Sequence, residues 1–153
     1  MKEAFDFLHK NRVFAVATVG GGKPRVRPFG AVRLVGEQLY FCTGKGKAVY
    51  QELIQNPWIE IMSYGDGEWL RLSGKVVFEP ENEAVKAEMR ANAPERAQQI
   101  RKMPRDEKEA LLARFPGLRN MISLEEDALV VFRLEDAVAN FYSTRDATHT
   151  ITY

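Results

Sequence analysis

Residues 13–43 read VFAVATVGGGKPRVRPFGAVRLVGEQLYFCT, and this stretch decides the fold. Val13 to Val19 is a β-rich run with almost no polar alternation, which predicts a strand buried on both faces. Gly20-Gly21-Gly22-Lys23-Pro24 then turns the chain. From Arg25 to Val35 the alternation predicts a second strand, with Val26, Pro28, Gly30, Val32 and Leu34 on one face and Arg25, Arg27, Phe29, Ala31 and Arg33 on the other. Gly36-Glu37 predicts a tight turn into a third strand from Gln38 to Thr43, marked by its aromatic residues. Together these form an antiparallel meander.

Working outward, Ala4, Phe5 and Leu8 share one helical face, so residues 3–11 predict a short amphipathic helix ahead of the meander. Behind it, Val49 with Leu53 and Tyr50 with Ile54 are pairs at i and i+4, in a helix stopped by Asn56-Pro57. Trp58 to Tyr64, a Gly65-Asp66-Gly67 turn, and Trp69 to Phe78 predict a second hairpin, with Leu70, Leu72, Gly74, Val76 and Phe78 facing one way. Residues 80–120 change character: apolar residues recur at helical spacing, and Pro94, Pro104 and Pro116 divide the segment into helices. Ala128 to Leu134 and Ala137 to Tyr142 predict closing strands. The expectation is a mainly β (α+β) protein: one domain over residues 1–153, a six-stranded antiparallel barrel with peripheral helices and a helical insertion at about 80–120.

Composition narrows the function. The chain has 153 residues, 45% of them apolar, enough for a core of its own. No apolar run approaches the roughly 20 residues that span a bilayer, and the start Lys2-Glu3-Ala4-Phe5-Asp6 lacks the pattern of a secretory leader. The expected compartment is therefore the cytoplasm. With 22 basic and 21 acidic side chains the formal charge is +1, which argues against nucleic acid as a partner. The single cysteine, Cys42, and the two histidines, His9 and His149, provide no set with metal-ligand spacing.

Charge is nevertheless concentrated. Between Gly21 and Lys47 lie Lys23, Arg25, Arg27, Arg33, Lys45 and Lys47, against the single acid Glu37. A phosphate monoester is best held by guanidinium or ammonium groups together with the backbone N–H groups of a helix start. Gly44-Lys45-Gly46-Lys47, entering the helix at Ala48, supplies both elements. Neither glycine-lysine cluster has P-loop spacing, which excludes a nucleoside triphosphatase of that type.

At this point the chain resembles a family. Ala17-Thr18-Val19, Gly22-Lys23-Pro24-Arg25-Val26-Arg27-Pro28, Leu39-Tyr40-Phe41-Cys42-Thr43-Gly44, Lys47, Leu53, Asn56-Pro57 and Trp69-Leu70-Arg71-Leu72-Ser73-Gly74 occur in the order seen in FMN-binding split-barrel proteins related to pyridoxamine 5'-phosphate oxidase. The ending Asp136 to Ser143 also resembles that of small bacterial members. The resemblance implies a homodimer with FMN in two grooves between subunits. It assigns Arg27 and Lys47 to the flavin phosphate, with Lys45 as a neighbouring cation. Pro28 and Phe29 fall on the strand beside the flavin ring, Cys42 and Thr43 at the strand end that contacts it, and Trp69 where the second subunit reaches the flavin.

Two departures qualify the implied activity. The loop from Thr43 to Lys47 is two residues shorter than in the oxidase, so Gly46 stands where that enzyme has a second phosphate-binding arginine. The ending Thr148 to Tyr153 does not reproduce the oxidase's Arg and His substrate motif, so pyridoxamine phosphate oxidation is not expected. The expected function is a flavin-dependent oxidoreductase acting on a small organic molecule, with a nicotinamide as a candidate electron donor and no side chain assigned as acid or base. The alternatives are a non-catalytic flavin carrier or sensor, or the same fold holding a deazaflavin or haem.

Overall fold

The computed structural model describes residues 1–120 and 128–153. The N-terminal helix α1, Lys2–Asn11, buries Ala4 and Leu8 completely. The predicted meander follows as β1 (Phe14–Gly20), β2 (Lys23–Phe29), β3 (Val32–Val35) and β4 (Gln38–Gly44). Helix α2, Ala48–Gln55, buries Val49 and Leu53, whereas the neighbouring Ile54 is exposed because only one stripe of the helix faces the core. The second hairpin is β5 (Trp58–Gly65) with β6 (Glu68–Phe78), and its inward set Leu70, Leu72, Gly74 and Val76 is buried as the alternation requires.

Helices α3 (Glu83–Ala91), α4 (Glu95–Lys102) and α5 (Arg105–Arg114), with a short 3-10 turn at Pro116–Asn120, fill the segment between β6 and the next strand. The two expected closing strands are one, β7 (Leu129–Ser143), which passes through a left-handed residue at Asp136, φ 50°. A last strand, β8 (His149–Thr152), pairs with it; the β-branched run Thr150-Ile151-Thr152 was its sequence signal.

The strands form one antiparallel sheet in the order β2-β1-β5-β6-β7-β4-β3, with β8 beside β7. Its two edge strands, β2 and β3, are consecutive in the chain and joined only by Gly30 and Ala31. Two residues span at most about 7 Å, so the sheet must curl until its edges approach. A split barrel is the result, closed by the covalent chain where no β2–β3 pairing closes it. Gly30 tolerates the crossing because a Cβ there would lie 3.1 Å from the Arg12 carbonyl oxygen.

This crossing corrects the single long strand expected from Arg25 to Val35. In β2 the core-side residues are Arg27 and Phe29, opposite Val16 and Phe14 of β1. Beyond the break Val32 is the buried residue, so Arg33 no longer shares a face with Arg27. The core proper gathers Leu8, Phe14, Val16, Leu39, Phe41, Leu53, Ile61, Leu70, Leu72 and Phe132 from the inner face and both covering helices.

The outer face is treated unevenly. Helix α3 covers it over β4 and β7, packing Val85 and Met89 against Tyr40 and Val131, with Cys42 at the margin. Over β1, β2 and β5 nothing among the described residues covers it. The expectation that β1 is buried on both faces therefore fails within one chain: Phe14, Val16 and Thr18 are buried, while Val19 is exposed.

Candidate functional site

Helix α2 organises the site. Its first helical residue follows Lys47, which occupies the N-cap and makes no side-chain capping bond, so its side chain leaves the first-turn amides free for another acceptor. Lys47 donates its own backbone N–H to the Gly44 carbonyl at 3.0 Å, and Lys45 donates its N–H to the Ala128 carbonyl at 2.8 Å, which fixes the loop against β7. The Lys45 side chain is exposed.

The Lys47 side chain is half-buried and pairs with no carboxylate among the described residues. Burial holds its ammonium below the ordinary value of 10.5, partly offset by the nearby Cys42 thiol. At the adjoining end of β4, Thr43 is buried and its hydroxyl has no hydrogen-bond partner among the described residues. A buried hydroxyl without a partner costs stability, which a ligand oxygen or nitrogen would recover. The ammonium and the uncapped helix start are donors suited to a phosphate, while Thr43 faces the other side of β4 from Cys42, the thiol beside Lys47. Lys47 and the helix start fit the phosphate end of FMN.

Arg27 is arranged differently. Its guanidinium, on the core side of β2, donates from Nη2 to the Glu52 carboxylate and from Nη1 to the Thr18 hydroxyl, both at 2.5 Å. Thr18 in turn donates to Glu52 at 2.5 Å, which closes a triangle between β1, β2 and α2. Arg27 and Glu52 are largely buried, with side chains 22% and 13% exposed. Sequence reading missed Glu52 and Thr18 as site residues: they are brought to Arg27 by tertiary contact alone.

The remaining candidates scatter around this centre. Phe29 sits beside Phe14, ring centroids 6.4 Å apart, on the Arg27 side of β2, while Pro28 lies on the outer face. Cys42 projects from the opposite side of β4 to Thr43, where burial pushes its thiol up to about 11 despite the nearby Lys47 and Arg33. Trp69 does not join the cluster within one chain. It stacks on Tyr142 at 5.0 Å with the ring planes 5° apart, on the outer face beside Tyr64.

That outer face is apolar and open. Val13 (64% exposed), Val26 (68%), Met62 (43%) and Tyr64 (64%) line a shallow cleft of about 390 Å³ together with Pro28 and Arg27. Trp58 and Val19 extend the apolar surface along the same strands. No group of three or more His, Cys, Asp or Glu side chains arranged for a metal ion occurs among the described residues. No helix among them is long and apolar enough to cross a membrane.

Comparison with known proteins agrees with this architecture. No curated relative matches the chain. Among solved structures it is similar to a NimC/NimA family protein from Clostridium acetobutylicum, 29% identical, with all of this chain and 92% of that one covered and a TM-score of 0.69. A pyridoxamine 5'-phosphate oxidase-related, FMN-binding protein from Nostoc punctiforme shares the fold at 16% identity, covering 99% of this chain and 95% of that one, TM-score 0.58. A haem-binding protein from Mycobacterium smegmatis shares it at 14% identity, covering 98% of this chain and 56% of that one, TM-score 0.59. The family model described as pyridoxamine 5'-phosphate oxidase matches residues 1–115, which include every strand from β1 to β6 and the whole Arg27–Lys47 cluster. By that match and by its split barrel, the chain belongs to the pyridoxamine 5'-phosphate oxidase family.

Proposed function

We propose that this protein is an FMN-binding flavoprotein, working as a homodimer and acting as an oxidoreductase on a small organic molecule. The observation that carries the reading is the half-buried Lys47 ammonium, without a carboxylate partner among the described residues, at the uncapped start of α2. Lys47 and the first-turn amides hold the phosphate, Arg27 orders its approach, and Thr43 offers its hydroxyl to a polar edge of the cofactor. Bound FMN supplies the hydride or electron transfer, and the polypeptide supplies anchoring, orientation and a shaped entry for substrate. A nicotinamide is the electron donor of this reading.

The homodimer is supported by the open apolar face over β1, β2 and β5, which carries Val26, Met62, Tyr64 and Trp58 into solvent in a single chain. Trp69 lies on that face, away from Arg27 of its own chain, so it serves the partner's flavin in this reading.

The test is the visible spectrum of freshly purified protein, with mass spectrometry of whatever denaturation releases. Bands near about 375 and 450 nm with released FMN are expected. A Soret band, a deazaflavin mass, or a colourless protein that fails to take up added FMN overturns the assignment. Reduction of the bound flavin by NADH or NADPH separates an enzyme from a carrier. Arg27→Ala and Lys47→Ala are each expected to weaken FMN more than riboflavin, and equal losses for the two ligands would remove both residues from the phosphate.

A further inference from the structure

The phosphate-directed arginine is already bound to a carboxylate of its own chain. Arg27 Nη2 meets Glu52 Oε2, Nη1 meets the Thr18 hydroxyl, and Thr18 meets the same Glu52 oxygen, all at 2.5 Å. Nη1 also lies 3.4 Å from the Val16 carbonyl and 3.3 Å from that of Arg25. A guanidinium has five N–H donors, and these contacts occupy the Nη1 and Nη2 side, leaving Nε–H with no acceptor among the described residues. The side chain is thus fixed at its tip with one donor edge still to be used.

Three features make this arrangement more than a surface ion pair. It is largely buried, unlike the exposed pairs whose net value is near zero. It restrains a residue of an edge strand whose other side chains, Phe29 excepted, are exposed. It also lies close to Gly20, where a Cβ would fall 2.9 Å from Glu52 Cγ and 3.0 Å from its Cδ, so a side chain there would displace the carboxylate from the end of β1. A free arginine at such an edge loses rotamer entropy when a ligand orders it.

We propose that Glu52 is the positioning residue for Arg27: it pre-orders the guanidinium for an oxyanion while cancelling its charge, so that Arg27 contributes direction and Lys47 contributes charge. The inference rests on the flavin-phosphate reading above. It assigns to Glu52 a role at the phosphate without contact to it.

The experiment is titration of the cofactor-free protein with FMN and with riboflavin, followed by flavin fluorescence, for the native chain and for Glu52→Ala, Glu52→Gln and Gly20→Ala. Glu52→Ala is expected to weaken FMN about tenfold, the scale on which loss of a supporting partner acts, and riboflavin less than about twofold. Glu52→Gln keeps an acceptor for Arg27 and is expected to retain FMN within about threefold of native. Gly20→Ala displaces the carboxylate without deleting it and is expected to follow Glu52→Ala. In an Arg27→Ala background Glu52→Ala is expected to add nothing, because the two act through one contact.

Equal weakening of both flavins would reduce Glu52 to a structural tie and overturn the proposal. Unchanged or tighter FMN binding by Glu52→Ala would overturn it too, by making the carboxylate a repulsive neighbour. A native chain that binds neither flavin overturns the proposed function itself, an outcome distinct from both.

Discussion

Lys47 and Arg27 belong to one basic cluster in the sequence, yet the fold gives them opposite circumstances. Arg27 is neutralised by Glu52, whereas Lys47 has no carboxylate partner among the described residues and is held below its ordinary 10.5 by burial. A lowered value means that Lys47 surrenders its proton at a lower pH in the folded chain than in the unfolded one. The charge offered to a phosphate fades at a lower pH than that of an exposed ammonium. The affinity advantage of FMN over riboflavin is therefore expected to decline as pH rises towards the ordinary 10.5, as measured by fluorescence titration. An advantage that persists undiminished through that rise would remove Lys47 from the phosphate. Cys42 titrates in the other sense: with its thiol pushed up to about 11, it stays protonated at about pH 8. Iodoacetamide is expected to label it slowly in the native protein and rapidly in urea, and equal rates would contradict the buried environment.

At the scale of elements, α2 links the core to the site. Leu53 is 1% exposed in the main core, while Ile54, the next residue, is 56% exposed. Leu53→Ala is expected to cost about 2–5 kcal/mol in urea unfolding, by lost transfer energy and a residual cavity. Ile54→Ala is expected to change stability by less than about 0.5 kcal/mol, and a comparable loss at the two positions would mean that the helix is rotated from the orientation described. The spacing in the sequence marks both i,i+4 pairs equally and predicts the helix without telling which pair turns inward. The helical segment between β6 and β7 has its own anchor. Glu79 accepts from Arg133 at 2.8 Å, Asn82 at 2.7 Å and Tyr40 at 3.1 Å, so its start is tied to β4 and β7. Its first helix covers Tyr40 and Val131, while none of its described residues hydrogen-bonds to the Arg27 triangle.

For the whole molecule, the uneven covering of the sheet is the main fact. One half of the outer face lies under α3, and the other half leaves Val13, Val26, Met62 and Tyr64 in solvent. Placing charge on that face, with Val26→Asp and Met62→Lys each made singly, is expected to convert a dimer to a monomer in sedimentation velocity while the circular dichroism spectrum is unchanged. A native chain that sediments as a monomer would refute the dimer directly. Flavin loss on monomerisation would tie the cofactor to the shared face, and Trp69→Ala is expected to release flavin from an intact dimer.

The sequence by itself determined the local elements and their class. Alternation, turn residues and helical spacing predicted α1, β1, β4, α2, β5 and β6, because these signals depend on neighbours within a few positions. It also concentrated six cations between Lys23 and Lys47, and so marked the candidate phosphate end before any contact was known. Only the tertiary structure decided how the cations are used. The break at Gly30-Ala31 sends Arg33 to the opposite side of the sheet from Arg27, because the chain must cross between the barrel's two edges there. Glu52 reaches Arg27 from 25 residues away and Thr18 from 9. No periodicity records such meetings: they arise when a helix docks on a curled sheet, and packing geometry, not local preference, selects which side chains then touch.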